Sequence, residues 1–296
     1  MKGLFASAAT PSFPAVLRFE WVKLVHRRLT WAPFLILLVM VGIIVAVFHH
    51  FHFQHAMAMF QRFGKTFAGK QEFVNGFYLA AHSMKPAFEM LLPIFLAVAA
   101  GLSVAGEAEL GTLRACLVRP VRRRTFLLAK FCLLGLYALA LSMYYLGLII
   151  SAGLLNFGSG DLYTINILFH NGEYGFSLVP AEEAPLRFLL AGLIATLGML
   201  TLVSLALLIS ALVETAAMAY VLTLSIYFTE LTLRVLPFLD WLYPYLFVTH
   251  MVRWEQCFYE HVKTGEILVS LVHLAAYLVV FLAGAMLLFE ERDIKT

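Results

Sequence analysis

The chain has 296 residues, 62% hydrophobic and 13% charged, with a mean hydropathy of +0.87. Soluble domains carry about 45–50% apolar and about 25% charged residues, and one core of this length could not hide the excess, because much of any folded surface still meets solvent. The composition excludes a soluble enzyme, a disordered chain and a fibrous repeat, and a net charge of +3 is too small to imply a nucleic-acid partner; the solvent that remains is a lipid bilayer.

Residues 1–13 lack the apolar core of a cleavable signal, and the first long apolar run starts only after residue 30. Before it, residues 15–30 predict an amphipathic helix. Leu17, Trp21, Leu24 and Val25 fall at i, i+4, i+7 and i+8, whereas Glu20, Lys23 and Arg27 occupy another face. A basic face opposite a Trp-bearing apolar face suits a helix lying in the membrane surface.

Runs free of Asp, Glu, Lys and Arg, extended where needed to the ~20 residues that span a bilayer, predict crossings at 31–53, 87–106, 125–156, 187–212, 215–236 and 267–289. Phe188–Thr229 contains a single acid, Glu214. As one helix it would measure about 63 Å at 1.5 Å per residue, too long for any bilayer, so the chain turns near Glu214. Six crossings put both termini on one side. Thirteen of the 21 basic residues fall in 1–30, 107–130 and 290–296, which makes that side cytoplasmic by the positive-inside rule. Trp21, Trp31, Trp241 and Trp254 then lie near the interfaces, where amphipathic rings are favoured.

Of the segments between crossings, 107–120 is the most informative. Glu107 and Glu109 open a helix-compatible run, as acids do at the positive end of a helix dipole, and Pro120 breaks it. Arg122, Arg123 and Arg124 follow, suited to anionic lipid headgroups. Beyond the first crossing, His52, His55 and Met59 share a helix face as a permissive soft-ligand set. An aromatic interfacial collar competes with that reading, and no metal is expected. Residues 64–71 approach a phosphate-binding loop through Gly64, Gly69 and Lys70, but Gln71 replaces the required Ser or Thr and no strand precedes it. Glu230 and Arg234, at i and i+4, read as a structural ion pair or as the lining of a substrate path. Glu89 and Glu214 are expected at the interfaces. Residues 237–264 are too aromatic for a solvated loop and predict interfacial or re-entrant segments on the extracytoplasmic side. Cys116, Cys132 and Cys257 show neither disulfide nor zinc spacing. An intramembrane protease or acyl transferase would need a nucleophile beside a base, but Ser142, Ser204, Ser225 and a lone His273 supply no obvious pair. A channel or secondary carrier would be supported by inverted repeats, and no internal symmetry stands out.

The run Glu107-Ala108-Glu109-Leu110-Gly111-Thr112-Leu113-Arg114, then Pro120-Val121-Arg122 and Lys130, resembles the cytoplasmic loop of ABC-2 type transporter permeases. The interfacial helix, the six-crossing layout and the tail Phe289-Glu290-Glu291-Arg292-Asp293-Ile294 fit the same family. The resemblance implies an all-α integral membrane protein with the ABC-2 (type V exporter-like) permease fold, in a bacterial plasma (inner) membrane. It implies a permease that carries no cofactor and catalyses nothing itself. Two separate ATPase subunits would bind ATP and Mg, a second permease copy (a homodimer or a homologous permease) would complete the pore, and an extracytoplasmic accessory protein could join them. Glu107, Glu109, Gly111, Thr112 and Arg114 would then form the coupling helix that docks on the ATPase.

Overall fold

The computed structural model describes residues 12–63, 75–112, 122–167 and 174–291. Among these residues, six helices are long and apolar enough to cross a membrane: Arg28–His50, Gly76–Glu109, Arg123–Phe157, Ala184–Leu212, Ala216–Leu233 and Thr264–Glu291. The chain is therefore a multi-pass, predominantly helical membrane protein.

Helix α1 (Phe13–His26) precedes α2 (Arg28–Phe63). The α2 helix runs on through the stretch that holds His52, His55 and Met59, whose side chains lie outside the described residues. The second crossing starts at Gly76, well before the predicted residue 87. Asn75 caps α3 (Gly76–Pro86), its Oδ1 accepting from the N–H groups of Phe77 and Tyr78. Pro86 lacks the N–H that would continue an α-helix. The chain answers with one π turn, Ala87–Leu91, and resumes as α4 (Leu92–Glu109), so a proline that reads as a boundary becomes an internal bulge. Pro93 likewise offers no N–H to the Glu89 carbonyl four residues earlier, and the Tyr227 hydroxyl donates to that carbonyl at 2.9 Å instead.

The third crossing is α5 (Arg123–Phe157). An antiparallel hairpin follows, β1 (Leu162–Ile167) with β2 (Tyr174–Val179), in the register Leu162↔Val179 to Ile167↔Tyr174. The all-α expectation misses these two strands, which lie outside the membrane spans. The Thr164 hydroxyl donates to the Phe258 carbonyl at 3.2 Å and seats the hairpin on the end of the bundle.

Helix α6 (Ala184–Leu212) is apolar on every face and buried along most of its length, as such a helix must be. It packs against α4, α5, α7 (Ala216–Leu233) and α9 (Thr264–Glu291). Its small residues admit the segment between α7 and α9. At Gly198, a Cβ would lie 2.6 Å from Met251 Cγ. That segment comprises a 3-10 helix Pro237–Tyr245, a short α8 (Phe247–Met251) and a 3-10 helix Val252–Phe258. Trp241 and Tyr245 are exposed, whereas Phe247, Met251, Trp254 and Phe258 are buried. Half of the aromatic stretch 237–264 thus lies at the surface and half is core.

Helix α1, the end of α4 and the start of α5 meet at one end of the bundle, here the basal end, where the last turn of α9 also reaches α5. The hairpin and the 237–258 segment occupy the opposite, distal end. Arg123 Nη1 donates to the carbonyls of Phe289 (3.2 Å) and Glu290 (2.9 Å), satisfying carbonyls that the end of α9 leaves without intrahelical partners. Arg124 makes a two-pronged contact with the Glu290 carboxylate, Nε–Oε1 2.6 Å and Nη2–Oε2 2.7 Å. Both prongs are exposed and salt-screened. Arg124→Ala should therefore lower the unfolding midpoint slightly at low salt and leave it unchanged at high salt, as a thermal melt in detergent would register.

Candidate functional site

The basal end carries a buried cluster of four charges. Glu20 from α1 (5% exposed), Glu107 from the last turn of α4 (7%) and Lys130 from α5 (3%) are almost wholly enclosed. Lys130 Nζ lies 2.8 Å from Glu20 Oε2 and 2.8 Å from Glu107 Oε1. Lys23 Nζ, one turn after Glu20 on α1, lies 2.6 Å from Glu20 Oε1 and 2.7 Å from Glu107 Oε1. The Phe126 ring lies under both ammonium groups, 4.6 Å from Lys130 Nζ and 5.8 Å from Lys23 Nζ, a cation–π arrangement. Two acids and two bases make the cluster neutral, which is the condition under which charges survive burial. Burial pushes Glu20 toward its neutral acid, but Lys130 and Lys23 outweigh it and hold the carboxyl below the usual carboxylate value. Burial likewise works against the charge on Lys23, and Glu107 and Glu20 outweigh it to raise that ammonium above the ordinary lysine value.

This arrangement reverses how the amphipathic pattern of α1 reads. Glu20 and Lys23 face the bundle, and Phe19, Trp21 and Val22 are exposed. The Trp-bearing face remains available to lipid, but Glu20 and Lys23 on the polar face meet partner charges, Glu20 enclosed and the Lys23 side chain about one-third exposed (32%).

The expected coupling helix over 107–120 is also redrawn where it is described. Glu107 and Glu109 close α4; they do not open a helix. Acids at a helix C-terminus oppose the dipole, and each is compensated from elsewhere: Glu107 by the two lysines, Glu109 by crossing to α7, where its Oε2 accepts from the Ala216 N–H at 3.0 Å. Glu109 thereby sits at the positive end of the fifth crossing, beside Thr215, whose hydroxyl accepts from Met218 N. Gly111 adopts φ +69°, the left-handed conformation that ends helices and favours glycine. Thr112 Oγ1 donates to the Glu107 carbonyl at 3.2 Å. Leu110, Gly111 and Thr112 are exposed, Leu110 at 70%. Arg114 lies outside the described residues.

The remaining candidates disperse. Arg122 is exposed ahead of α5, while Arg123 and Arg124 bind the end of α9. Glu230 and Arg234 form no ion pair among the described residues; Glu230 Oε2 instead accepts from Val248 N at 3.3 Å, at the start of α8. His273 is not alone: its ring stacks on that of His250 at 4.4 Å and 6°. Ser142, Ser204 and Ser225 donate to carbonyls of their own helices, so none is poised beside a base. Sequence reasoning missed Glu20 and Lys23 as site residues. The signal that could have found them is a Glu-x-x-Lys pair on a helix rich in exposed aromatics, facing a second Glu and Lys at the mouths of two crossings.

A family model described as Protein of unknown function (DUF2705) matches residues 35–295. The chain belongs to that family. The DUF2705 match spans Glu107, Glu109 and Lys130 and begins after α1, so Glu20 and Lys23 lie ahead of it. No curated protein matches the chain.

Proposed function

We propose that this chain is the membrane-spanning subunit of an ATP-driven transporter of the ABC-2 permease type, working with a second permease copy and two separate ATPase subunits to move a substrate across the plasma membrane. The observation that carries this reading is the neutral, buried four-charge cluster. It ties the surface helix α1 to the basal ends of the second and third crossings, directly beside the exposed turn Leu110–Thr112. A push on that turn would reach α1, α4 and α5 through the ionic contacts of the enclosed Glu20, Glu107 and Lys130. Through Glu109 it would also reach the N-terminus of α7. Glu107 then positions the docking element from behind, and the contact surface centres on Leu110, an apolar side chain exposed at the end of a helix.

The test is affinity purification of the full chain from its host membranes, with Mg-dependent ATP hydrolysis and mass spectrometry as readouts. The chain should bring down an ATPase. Leu110→Asp should abolish that association while the helical content and unfolding midpoint stay unchanged. Absence of any nucleotide-hydrolysing partner from the wild-type preparation, or full retention of it by Leu110→Asp, would overturn the proposal.

A further inference from the structure

A second polar site lies at the distal end, independent of any ATPase. Glu89 sits on the π turn of the second crossing, 6% exposed, and its Oε1 has no hydrogen-bond partner. Local π turns frequently occur at functional positions, and an ionisable group inside a crossing is a functional pointer in its own right. Glu255, carried by the 3-10 helix Val252–Phe258, is brought close to it: the rings of the adjoining residues Phe88 and Trp254 lie 5.9 Å apart. Glu255 Oε1 accepts from Lys85 Nζ at 2.8 Å. The other charged or titratable groups around Glu89 are Lys85, one turn earlier on its own helix, Arg234 at the end of α7, and Tyr227, whose hydroxyl donates to the Glu89 backbone carbonyl.

Two facing carboxylates resist ionising together unless a cation separates them. Neither nearby cation hydrogen-bonds the buried oxygen of Glu89, and the Lys85 ammonium is drawn toward Glu255. A bound metal ion would want more ligands than this pair supplies, and no group of three or more His, Cys, Asp or Glu suited to a metal occurs among the described residues. A proton meets the need with one bond.

We propose that Glu89 and Glu255 form a proton-binding carboxyl pair at the distal mouth of the bundle. One proton delivered by hydronium from the distal side forms an O–H bond on the Glu89 carboxylate as the hydronium O–H bond breaks and water leaves; Glu89 becomes a neutral acid and donates to the Glu255 carboxylate. Release of that proton restores the repulsion between the π turn and the Val252–Phe258 segment packed against α6. The pair thus links distal pH to the seat of that segment.

The test is labelling of the purified full chain with dicyclohexylcarbodiimide, which attacks protonated carboxyl groups in apolar surroundings, followed by peptide mass spectrometry across pH. Glu89 should be labelled at neutral pH and lose labelling as pH rises. Glu255→Gln removes the like charge, so the loss should move to lower pH and labelling at pH 7 should fall several-fold. As a second measurement, the infrared carbonyl band of a protonated carboxylic acid at neutral pH should disappear in Glu89→Gln. An unlabelled Glu89 at neutral pH, or an identical pH profile in Glu255→Gln, would overturn the assignment. So would protection by added sodium or calcium at fixed pH, which would put a metal cation in place of the proton. None of these outcomes depends on an ATPase partner, so failure here and failure of the transport reading are separate results.

Discussion

Replacing Lys130 with methionine should destabilise the chain by about 3–5 kcal/mol, the usual cost of removing one partner from a buried ionic contact. Lys130 is 3% exposed and is shared between Glu20 and Glu107 at 2.8 Å each. Its loss leaves two enclosed carboxylates with Lys23 as their remaining ammonium within the cluster, and the Lys23 side chain is about one-third exposed (32%). Lys23→Met should cost clearly less, because water can reach part of the space it vacates. The quadruple variant Glu20→Gln, Lys23→Met, Glu107→Gln, Lys130→Met removes all four charges and should recover much of the loss, since replacing a whole buried ionic set is often close to neutral. Chemical unfolding in detergent, followed by tryptophan fluorescence, ranks the three variants; a Lys130→Met that behaves like Lys23→Met would rule out a buried ionic cluster.

The same cluster sets a pH signature. The folded Glu20 carboxyl titrates below its unfolded value, so its contribution is present above the ordinary carboxylate range and is lost as pH falls through the lowered folded value. The folded Lys23 ammonium titrates above its unfolded value, so its contribution is present below the ordinary lysine value and is lost as pH rises through the raised one. Docking of α1 should therefore be level across neutral pH and fail at both extremes. In Lys130→Met, Glu20 loses its strongest cation and the acid edge should move toward neutral pH. Exposure of Trp21 to a water-soluble quencher, measured against pH, follows the docking directly.

How far the sequence carries depends on which physical signal each feature leaves. Membrane spans leave a strong one: the gaps between charged residues locate all six long apolar helices, because a charge in hydrocarbon is costly. Their ends are harder to read. Lys85 and Pro86 look like a boundary, yet the Asn75 cap and the π turn extend the second helix to Gly76. The hairpin at Leu162–Val179 carries only a short alternation that composition does not separate from loop. In α1 the period of the polar residues is legible, but periodicity does not reveal whether a polar face will meet water or another charge. Nor could spacing show that Glu109 crosses to Ala216, a contact made across more than 100 residues of chain. Burial of Glu107 follows from the same cause: its partners lie on two other helices, where no local motif can encode them.

The second large effect is expected at the crossing of α3 and α5. Gly76 N–H donates to the Gly158 carbonyl at 3.0 Å, and Asn75 Nδ2 donates to the Asp161 carbonyl at 2.7 Å, so the start of the second crossing is clamped to the end of the third. A Cβ on Gly76 would lie 2.4 Å from Gly153 C and 2.5 Å from Leu154 N; one on Gly153 would lie 2.6 Å from Gly76 O. Those neighbours are backbone atoms inside hydrogen-bonded helices, so they cannot swing aside as a side chain can. Close backbone approach at small residues is how helices pack where surrounding lipid is as apolar as the helix itself. Gly76→Ala and Gly153→Ala should each destabilise the chain at or beyond the upper end of the ~1–3 kcal/mol typical of overpacking. Gly147 lies six residues earlier in the same helix, with nothing within 4 Å of its Cβ position. There alanine only improves helix propensity, by about 1 kcal/mol at most, so Gly147→Ala should be neutral or stabilising. Gly192 separates contact from rigidity: its Cβ would meet Leu146 Cδ1 at 2.3 Å, but a leucine terminus can rotate away, so Gly192→Ala should cost less than either change at the backbone contact. If unfolding in detergent places Gly153→Ala level with Gly147→Ala, the two helices do not approach as closely as their backbones indicate.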